Sequence, residues 1–190
     1  YYVIEKNDER MLELVKDGNI KYKELLEKIR TDYKKAYDVI QLKHTTPYQK
    51  SLDYYDALYA IYKDKDVPAY LERMKRYLAS LGEDANGADY ASAAQSLYYA
   101  AASKLRPEDH RQAIAWLEKA IPGETVLMNK INYLVMVGDS YKELKDYASA
   151  RKYYNQAYAE SLQLASMEQA QQVVQASVTY KLATLELLEK

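Results

Sequence analysis

The chain alternates between segments whose apolar residues recur every three to five positions and short polar segments that hold Gly, Pro or acidic residues. This spacing is typical of amphipathic α-helices, because residues three and four apart lie on the same helix face. Strand-like sequence is confined to residues 1–4, which are too few to matter. The pattern therefore predicts an all-α fold of about nine helices whose short connections make neighbours antiparallel.

Residues that favour helix starts divide the chain into groups. Asp66 and Pro107 stand at predicted starts, and Ser166 followed by Gln169 has the spacing of a capping box for the last helix. The predicted organisation is a single helical domain, 1–190, made of N-terminal helices (1–45), three helical hairpins (46–82, 89–122 and 129–162) and a last helix (166–190).

Two of the hairpins share a pattern of small and large residues. Three positions of the first recur 37 residues later in the second: Ala113, Leu117 and Ala120 correspond to Ala150, Tyr154 and Ala157. The preceding helix of the second hairpin has the pattern L-x2-V-G-x2-Y, formed by Leu134, Val137, Gly138 and Tyr141. Together these positions resemble the tetratricopeptide repeat (TPR) family.

The resemblance is closest in 129–162, weaker in 89–122 and loose in 46–82, where Leu58 and Tyr70 stand at positions of small residues. It implies an α-solenoid of antiparallel helix hairpins that ends in a C-terminal capping helix. On this interpretation 46–82 is a degenerate hairpin, and 89–122 and 129–162 are repeats.

Gly138 stands inside a predicted helix, where Gly is about 1 kcal/mol less favourable than Ala. The repeat gives a reason, since two helices approach closely only where small residues face each other. Gly138, Ala150 and Ala157 are the predicted contact points, and Tyr154 is predicted to fill space nearby. We therefore expect Gly138→Leu to destabilise the fold by overpacking and Gly138→Ala to be mild.

Charge and composition exclude several classes of function for this chain. The 27 basic and 28 acidic residues leave a net charge of −1, without the basic excess typical of nucleic-acid-binding proteins. No apolar run is long enough for membrane insertion, so we expect a soluble protein. The lack of Cys excludes a disulfide, a thiol nucleophile and a CxxC redox centre within these 190 residues.

Side chains that could carry catalysis are few. His44 and His110 are the only histidines, and we assign each to a connection with a surface or capping role, because neither has metal-ligand spacing around it. The sole Trp, Trp116, is predicted to pack in the core. No phosphate-binding loop or nucleophile motif occurs. We expect no enzymatic activity, no cofactor and no bound metal.

The aromatic composition is unusual, with 22 Tyr and no Phe. Several of these residues, among them Tyr55, Tyr62 and Tyr154, stand where apolar residues are expected. A buried Tyr needs a partner for its hydroxyl, so replacing every Phe in this way has an energetic cost.

The resemblance to TPR proteins also implies a surface for a partner. In TPR arrays the first helices of the hairpins line a concave groove, and the register places seven residues there: Gln95, Tyr98, Ala102, Asn132, Val135, Asp139 and Lys142. The TPR clamp for a C-terminal carboxylate uses Lys, Asn and Arg side chains. It is not supported here, because Ala102 and Asp139 stand at positions equivalent to those residues. A groove rich in Tyr, Asn and Gln fits an extended peptide or a helix of another protein. The alternative is that these residues only face water.

Two functional hypotheses follow. The first is a protein-binding or scaffold domain with no chemistry of its own. The second is that the chain is the C-terminal helical accessory region of a larger bacterial thioredoxin-like redox protein. It rests on a looser resemblance, since residues 67–81 and 112–121 are similar to the helical extension that follows the redox domain of some bacterial thioredoxin-family proteins. The chain starts at Tyr1 without Met or an apolar signal segment, so we interpret it as a processed or excised piece. This leaves a periplasmic or secreted location open.

Overall fold

The computed structural model describes residues 46–101 and 104–189 and four single positions, 28, 31, 32 and 35. Of the residues described, 89% are helical and none lies in a strand, which confirms the all-α class. The N-terminal helices predicted in 1–45 fall almost entirely outside those residues, and Ala102 also lies outside them.

Seven α-helices are described, with these bounds: α1 Thr46–Tyr59, α2 Val67–Leu81, α3 Gly87–Ala101, α4 Pro107–Ala120, α5 Leu127–Glu143, α6 Tyr147–Ser161 and α7 Glu168–Leu188. The chain divides into two compact units, 1–84 and 85–190. The first unit contains α1 and α2, and the second contains α3 to α7.

In the first unit, α1 and α2 pack against each other as a helical hairpin. The α1 helix continues into a π-helical turn, after which Lys65 takes a left-handed conformation with φ of 58°. Asp66 then caps α2, and its Oδ1 accepts a hydrogen bond from the Ala69 N–H at 2.9 Å. This confirms the predicted start of α2. Leu58 and Tyr70 are both buried in the hairpin.

In the second unit, each helix packs chiefly against its neighbours in sequence, from α3 on α4 to α6 on α7. The core between α5, α6 and α7 consists of these buried residues: Ile131, Leu134, Ala150, Tyr154, Ala157, Leu164, Val178 and Leu185. The small residues predicted at helix contacts, Ala150 and Ala157, and their equivalents in the preceding hairpin, Ala113 and Ala120, are at most 1% exposed. Trp116 is also buried, as expected for a core residue.

The start of the last helix differs from the prediction. The α7 helix begins at Glu168, with Met167 at the N-cap position and no capping hydrogen bond from its side chain. A short 3₁₀ turn, Leu162–Leu164, precedes it and buries Leu164 in the core. The predicted capping box at Ser166 is therefore wrong, because burial of Leu164 sets the path of the connection and moves the N-cap one residue on, to Met167.

The contact between α5 and α6 explains why position 138 is Gly. It also changes the expected effect of Gly138→Ala on stability. A Cβ atom added at Gly138 would lie 2.5 Å from Cε1 and 2.6 Å from Cδ1 of Tyr154. The Tyr154 ring is 0% exposed, so it has little room to move away. Gly138 is the point where α5 meets the Tyr154 ring, and even one methyl group there overpacks the core. The expectation that Gly138→Ala is mild is wrong on this geometry.

We predict that Gly138→Ala lowers the free energy of unfolding by up to about 2 kcal/mol. Overpacking contributes about 1–3 kcal/mol against folding, and the better helix propensity of Ala offsets about 1 kcal/mol of it. Fluorescence of Trp116, the only Trp, follows urea unfolding of the second unit. The control is the same substitution in a Tyr154→Leu background, where the smaller side chain leaves room for the new methyl group. An equal loss in both backgrounds would contradict the steric explanation.

Candidate functional site

The residues predicted to line a groove lie on α3 and α5 in the second unit. Asn132 is exposed, and the rest of those described are half-buried: Gln95, Tyr98, Val135, Asp139 and Lys142. Ala102 lies outside the described part of the chain. Of these residues, the structure joins Tyr98 and Asp139, because the Tyr98 hydroxyl donates a hydrogen bond to Asp139 Oδ2 at 3.0 Å. Val135 packs against the core, so it offers less free surface than predicted.

Asp139 is the centre of a polar cluster that connects four helices. Its Oδ1 accepts hydrogen bonds from the Tyr154 hydroxyl of α6 and from Lys181 Nζ of α7, each at 2.6 Å. Its Oδ2 accepts the bond from Tyr98 of α3. We call Tyr98, Asp139, Tyr154 and Lys181 the Asp139 cluster. One carboxylate on α5 thus links α3, α6 and α7.

The burial of the Asp139 cluster strengthens its electrostatics. The side chains of Asp139 and Lys181 are 15% and 26% exposed, so water screens their ion pair only partly. Burial raises the pKa of both tyrosine hydroxyls, Tyr98 and Tyr154, above the usual value for tyrosine, and the charge of Asp139 and the hydrogen bonds to it raise it further. Both hydroxyls are therefore protonated donors at neutral pH. The two hydroxyls donate hydrogen bonds within the cluster, and neither is a phenolate that could act as a base.

Sequence reasoning misses two members of the cluster, Tyr154 and Lys181. It assigns Tyr154 to packing alone, although this residue also donates its hydroxyl proton to Asp139. Lys181 lies 42 residues after Asp139, which in turn lies 41 residues after Tyr98. These nearly equal separations are the sequence feature from which the cluster could have been predicted, because they place the three residues at similar positions on alternate helices, α3, α5 and α7.

A second group of polar contacts lies where α4 faces the connection from α5 to α6. The Tyr153 hydroxyl donates to Glu118 Oε1 at 2.6 Å, and the Tyr153 ring stacks on Tyr141 with centroids 5.6 Å apart. Burial and Glu118 both raise the pKa of Tyr153. Glu118 and Tyr141 line an open cleft of about 410 Å³, together with Arg111 and Asp146. None of the predicted groove residues lines this cleft, so it is a separate feature.

His110 does not occupy the position predicted for it. It lies inside α4 and is 5% exposed, and its Nδ1 atom has no hydrogen-bond partner among the residues described. The assignment to a surface position in a connection is therefore wrong, because the α4 helix begins at Pro107 and buries this turn. Burial lowers the pKa of His110, against the weaker opposing charges of Glu143 and Asp109.

Asp109, next to His110, supplies the capping contact at the start of α4. Its Oδ2 accepts a hydrogen bond from the Arg106 N–H at 2.9 Å, and its carboxylate pairs with the Arg106 guanidinium. Burial alone would raise the pKa of Asp109, but the hydrogen bonds from Arg106 outweigh it and hold that pKa below its usual value. The residue is a structural cap with its hydrogen bonds made inside the fold.

Two further observations bear on the kind of site. Within 46–101 and 104–189, no group of three or more His, Cys, Asp or Glu residues is placed to hold a metal ion. The helices described there include none that is both long and apolar enough to cross a membrane. The Asp139 cluster and its surroundings on α3 and α5 are the site that the predicted residues share.

We predict that Tyr154→Phe destabilises the second unit by about 1.5–3 kcal/mol, because it removes a buried hydrogen bond to a charged acceptor. Asp139→Ala should destabilise it more, since three donors then lose their acceptor together. Urea unfolding followed by Trp116 fluorescence measures both. The matched control is Tyr158→Phe on the same helix, where the side chain is 36% exposed and a change within about 0.5 kcal/mol is expected. Equal effects of Tyr154→Phe and Tyr158→Phe would contradict the role of the cluster.

We predict that His110 makes folding stability fall as the pH falls through 6.5, the unperturbed histidine value. Its folded-state pKa is lower than that value, so below pH 6.5 the unfolded chain binds the proton more readily and unfolding is favoured. At about pH 5.5 the loss is about 1 kcal/mol or less. The free energy of unfolding at about pH 7.5 and about pH 5.5 measures it. His110→Gln should remove this pH-dependent loss of stability, and His44→Gln should retain it. The reverse result would contradict the assignment of the loss to His110.

Known proteins offer no match to the chain: no protein-family model, curated protein or solved structure matches it. The resemblance to TPR proteins therefore rests on the positions of Gly138, Ala150, Tyr154 and Ala157, and it stays a prediction.

Proposed function

We propose that the second unit is a TPR-like module that binds another protein through the surface formed by α3 and α5, without chemistry of its own. We name the described residues on this surface the α3–α5 face: Gln95, Tyr98, Asn132, Asp139 and Lys142. The proposal includes a solenoid arrangement of the hairpins α3–α4 and α5–α6, with α7 as the capping helix.

The way the helices pack supports the TPR-like arrangement. Consecutive helices contact each other, and the contact between α5 and α6 has Gly138 against the Tyr154 ring. Small residues at the predicted contact positions, such as Ala150 and Ala157, are fully buried. In repeat proteins each hairpin buries its apolar face against the next, which leaves one face of the first helices available for ligands.

The observation that carries the binding proposal is the row of polar residues along α5. Asn132, Asp139 and Lys142 are spaced by seven and three residues, so they lie on one side of the helix. Tyr98 of α3 is fixed beside this row by its hydrogen bond to Asp139. The face thus offers the Asn132 amide and the Lys142 ammonium group beside Tyr98 and Asp139, whose polar groups are bonded to each other.

These side chains suit a peptide better than a small molecule. The amide of Asn132 can donate to and accept from a peptide backbone, and Lys142, whose side chain is 30% exposed, can pair with an acidic residue. The neighbouring Glu143 carboxylate lies 3.2 Å from Lys142 Nζ and is itself exposed, so a ligand carboxylate competes with a weak surface pair. We therefore expect an extended or helical segment with at least one acidic side chain.

We predict that the full chain enriches binding peptides from a random displayed library and that the double variant Asn132→Ala, Lys142→Ala loses them by about tenfold or more in affinity. Each lost contact to a charged or amide group is worth about 1 kcal/mol or more, so two together give at least that factor. Tyr98 is left unchanged because it belongs to the Asp139 cluster and its loss would also affect folding.

The matched control replaces one Asn and one Lys on α6, Asn155→Ala with Lys152→Ala, both of which are exposed. Isothermal titration of the enriched peptides against the three proteins gives the affinities. Peptides that bind the α5 double variant as tightly as the unchanged chain would overturn the assignment of the face. A library that yields no binder to the full chain would overturn the proposal as a whole.

A further inference from the structure

The C-terminal helix α7 has an apolar stripe on the side that faces away from its own core. Its inner face buries Val178 and Leu185. On the opposite side five residues are spaced by three, four, three and four positions, and all are exposed: Val173, Ala176, Tyr180, Ala183 and Leu187. The large members, Val173, Tyr180 and Leu187, are 70%, 75% and 71% exposed. We call these five residues the α7 stripe.

The positions beside the α7 stripe lack the charged residues that normally disfavour association of a solvent-exposed helix with another helix. Lys181 is the only charged residue between 169 and 185, and it is committed to Asp139. The positions beside the stripe are polar but uncharged, such as Gln172, Thr179 and Thr184. The exposed side of α4, by contrast, carries Glu108, Arg111, Glu118 and Lys119. The outer side of α7 thus has the composition of a helix–helix interface.

We propose that the α7 stripe is a dimerisation surface, on which the α7 helix of a second copy of this chain packs antiparallel. The spacing of the stripe is that of the two core positions of a heptad, one of which holds large residues and the other Ala. In an antiparallel pair Val173 and Tyr180 each face an Ala of the second copy, and Leu187 lies opposite Gln169 at the end of the helix. Val173 then lies opposite Ala183 of the second copy, and Tyr180 lies opposite Ala176, with the two-fold axis near residue 178.

This pairing is self-complementary in shape and brings no like charges together. Each Ala leaves room for the large residue across from it, so the two helix axes can approach to about 8 Å. Glu186, the charged residue near the stripe, falls beside Ala170 of the second copy and not beside its own equivalent. A parallel pair would bring the Tyr180 rings together and leave layers of Ala facing Ala. The antiparallel pair avoids both.

The size of the surface sets the expected strength. The 21 residues of α7 span about 30 Å, and one helix pair of this length buries less area than most stable dimers. We therefore expect a dimer with a dissociation constant of about 1–100 μM, which is populated only as the concentration rises.

Sedimentation equilibrium of the full chain between about 1 and 300 μM tests this directly. The average mass should rise from that of a monomer towards that of a dimer. Tyr180→Glu should keep the chain monomeric over the same range, because it places a charge in the stripe. Tyr158→Glu, a matched change at an exposed Tyr of α6, should not. A monomer at every concentration, or equal association of the two variants, would overturn the proposal.

The orientation can be tested separately because the chain has no Cys of its own. Two variants are prepared, Val173→Cys and Ala183→Cys, and each is oxidised alone or after mixing. The antiparallel register predicts a disulfide-linked dimer mainly in the mixture, since the two cysteines then face each other. Residue 173 of one copy lies about 15 Å from residue 173 of the other in this register. Efficient cross-linking of either variant alone would contradict the antiparallel arrangement.

Discussion

The second unit depends on one partly buried carboxylate. Asp139 accepts hydrogen bonds from Tyr98, Tyr154 and Lys181, which belong to three different helices. An isolated carboxylate in this position would carry a desolvation penalty of several kcal/mol, and the three donors together offset it. The position of Asp139 therefore couples α3, α6 and α7 to α5: the helices that surround it are held in the arrangement that satisfies this charge.

Carboxylates such as that of Asp139 give one reason why this core can contain Tyr where Phe would be expected. Tyr154 is fully buried, yet its hydroxyl has a charged acceptor, and the hydroxyls of Tyr98 and Tyr153 likewise reach Asp139 and Glu118. Burial and Glu124 raise the pKa of Tyr133 to about 12, so its hydroxyl also stays protonated. Acidic residues near the helix contacts thus accept hydrogen bonds from Tyr hydroxyls that would otherwise be buried without a partner.

Local sequence signals predict much of the fold, and contacts between distant residues account for the errors. Asp66 and Pro107 mark helix starts through interactions within one turn, and both starts are confirmed. The errors at Ser166 and His110 arise because burial of Leu164 and of the first turn of α4 decides those positions. Asp139 is predicted as a groove residue, but the repeat pattern assigns its donor Tyr154 to packing alone and does not specify the packing of the helix that carries its donor Lys181. Its half-buried state could not be foreseen from its own neighbours in sequence.

The packing of each helix against its neighbours in sequence has a consequence for folding kinetics. Contacts between adjacent helices close short loops, and chains dominated by such contacts fold quickly, on the scale of microseconds to milliseconds. The hydrogen bonds of Asp139 to Tyr98 and Lys181 instead join residues 41 and 42 positions apart. Hairpins such as α5–α6 can therefore form first, and the carboxylate closes the unit in a late step, so that substitutions in the cluster should act on the unfolding rate more than on the folding rate.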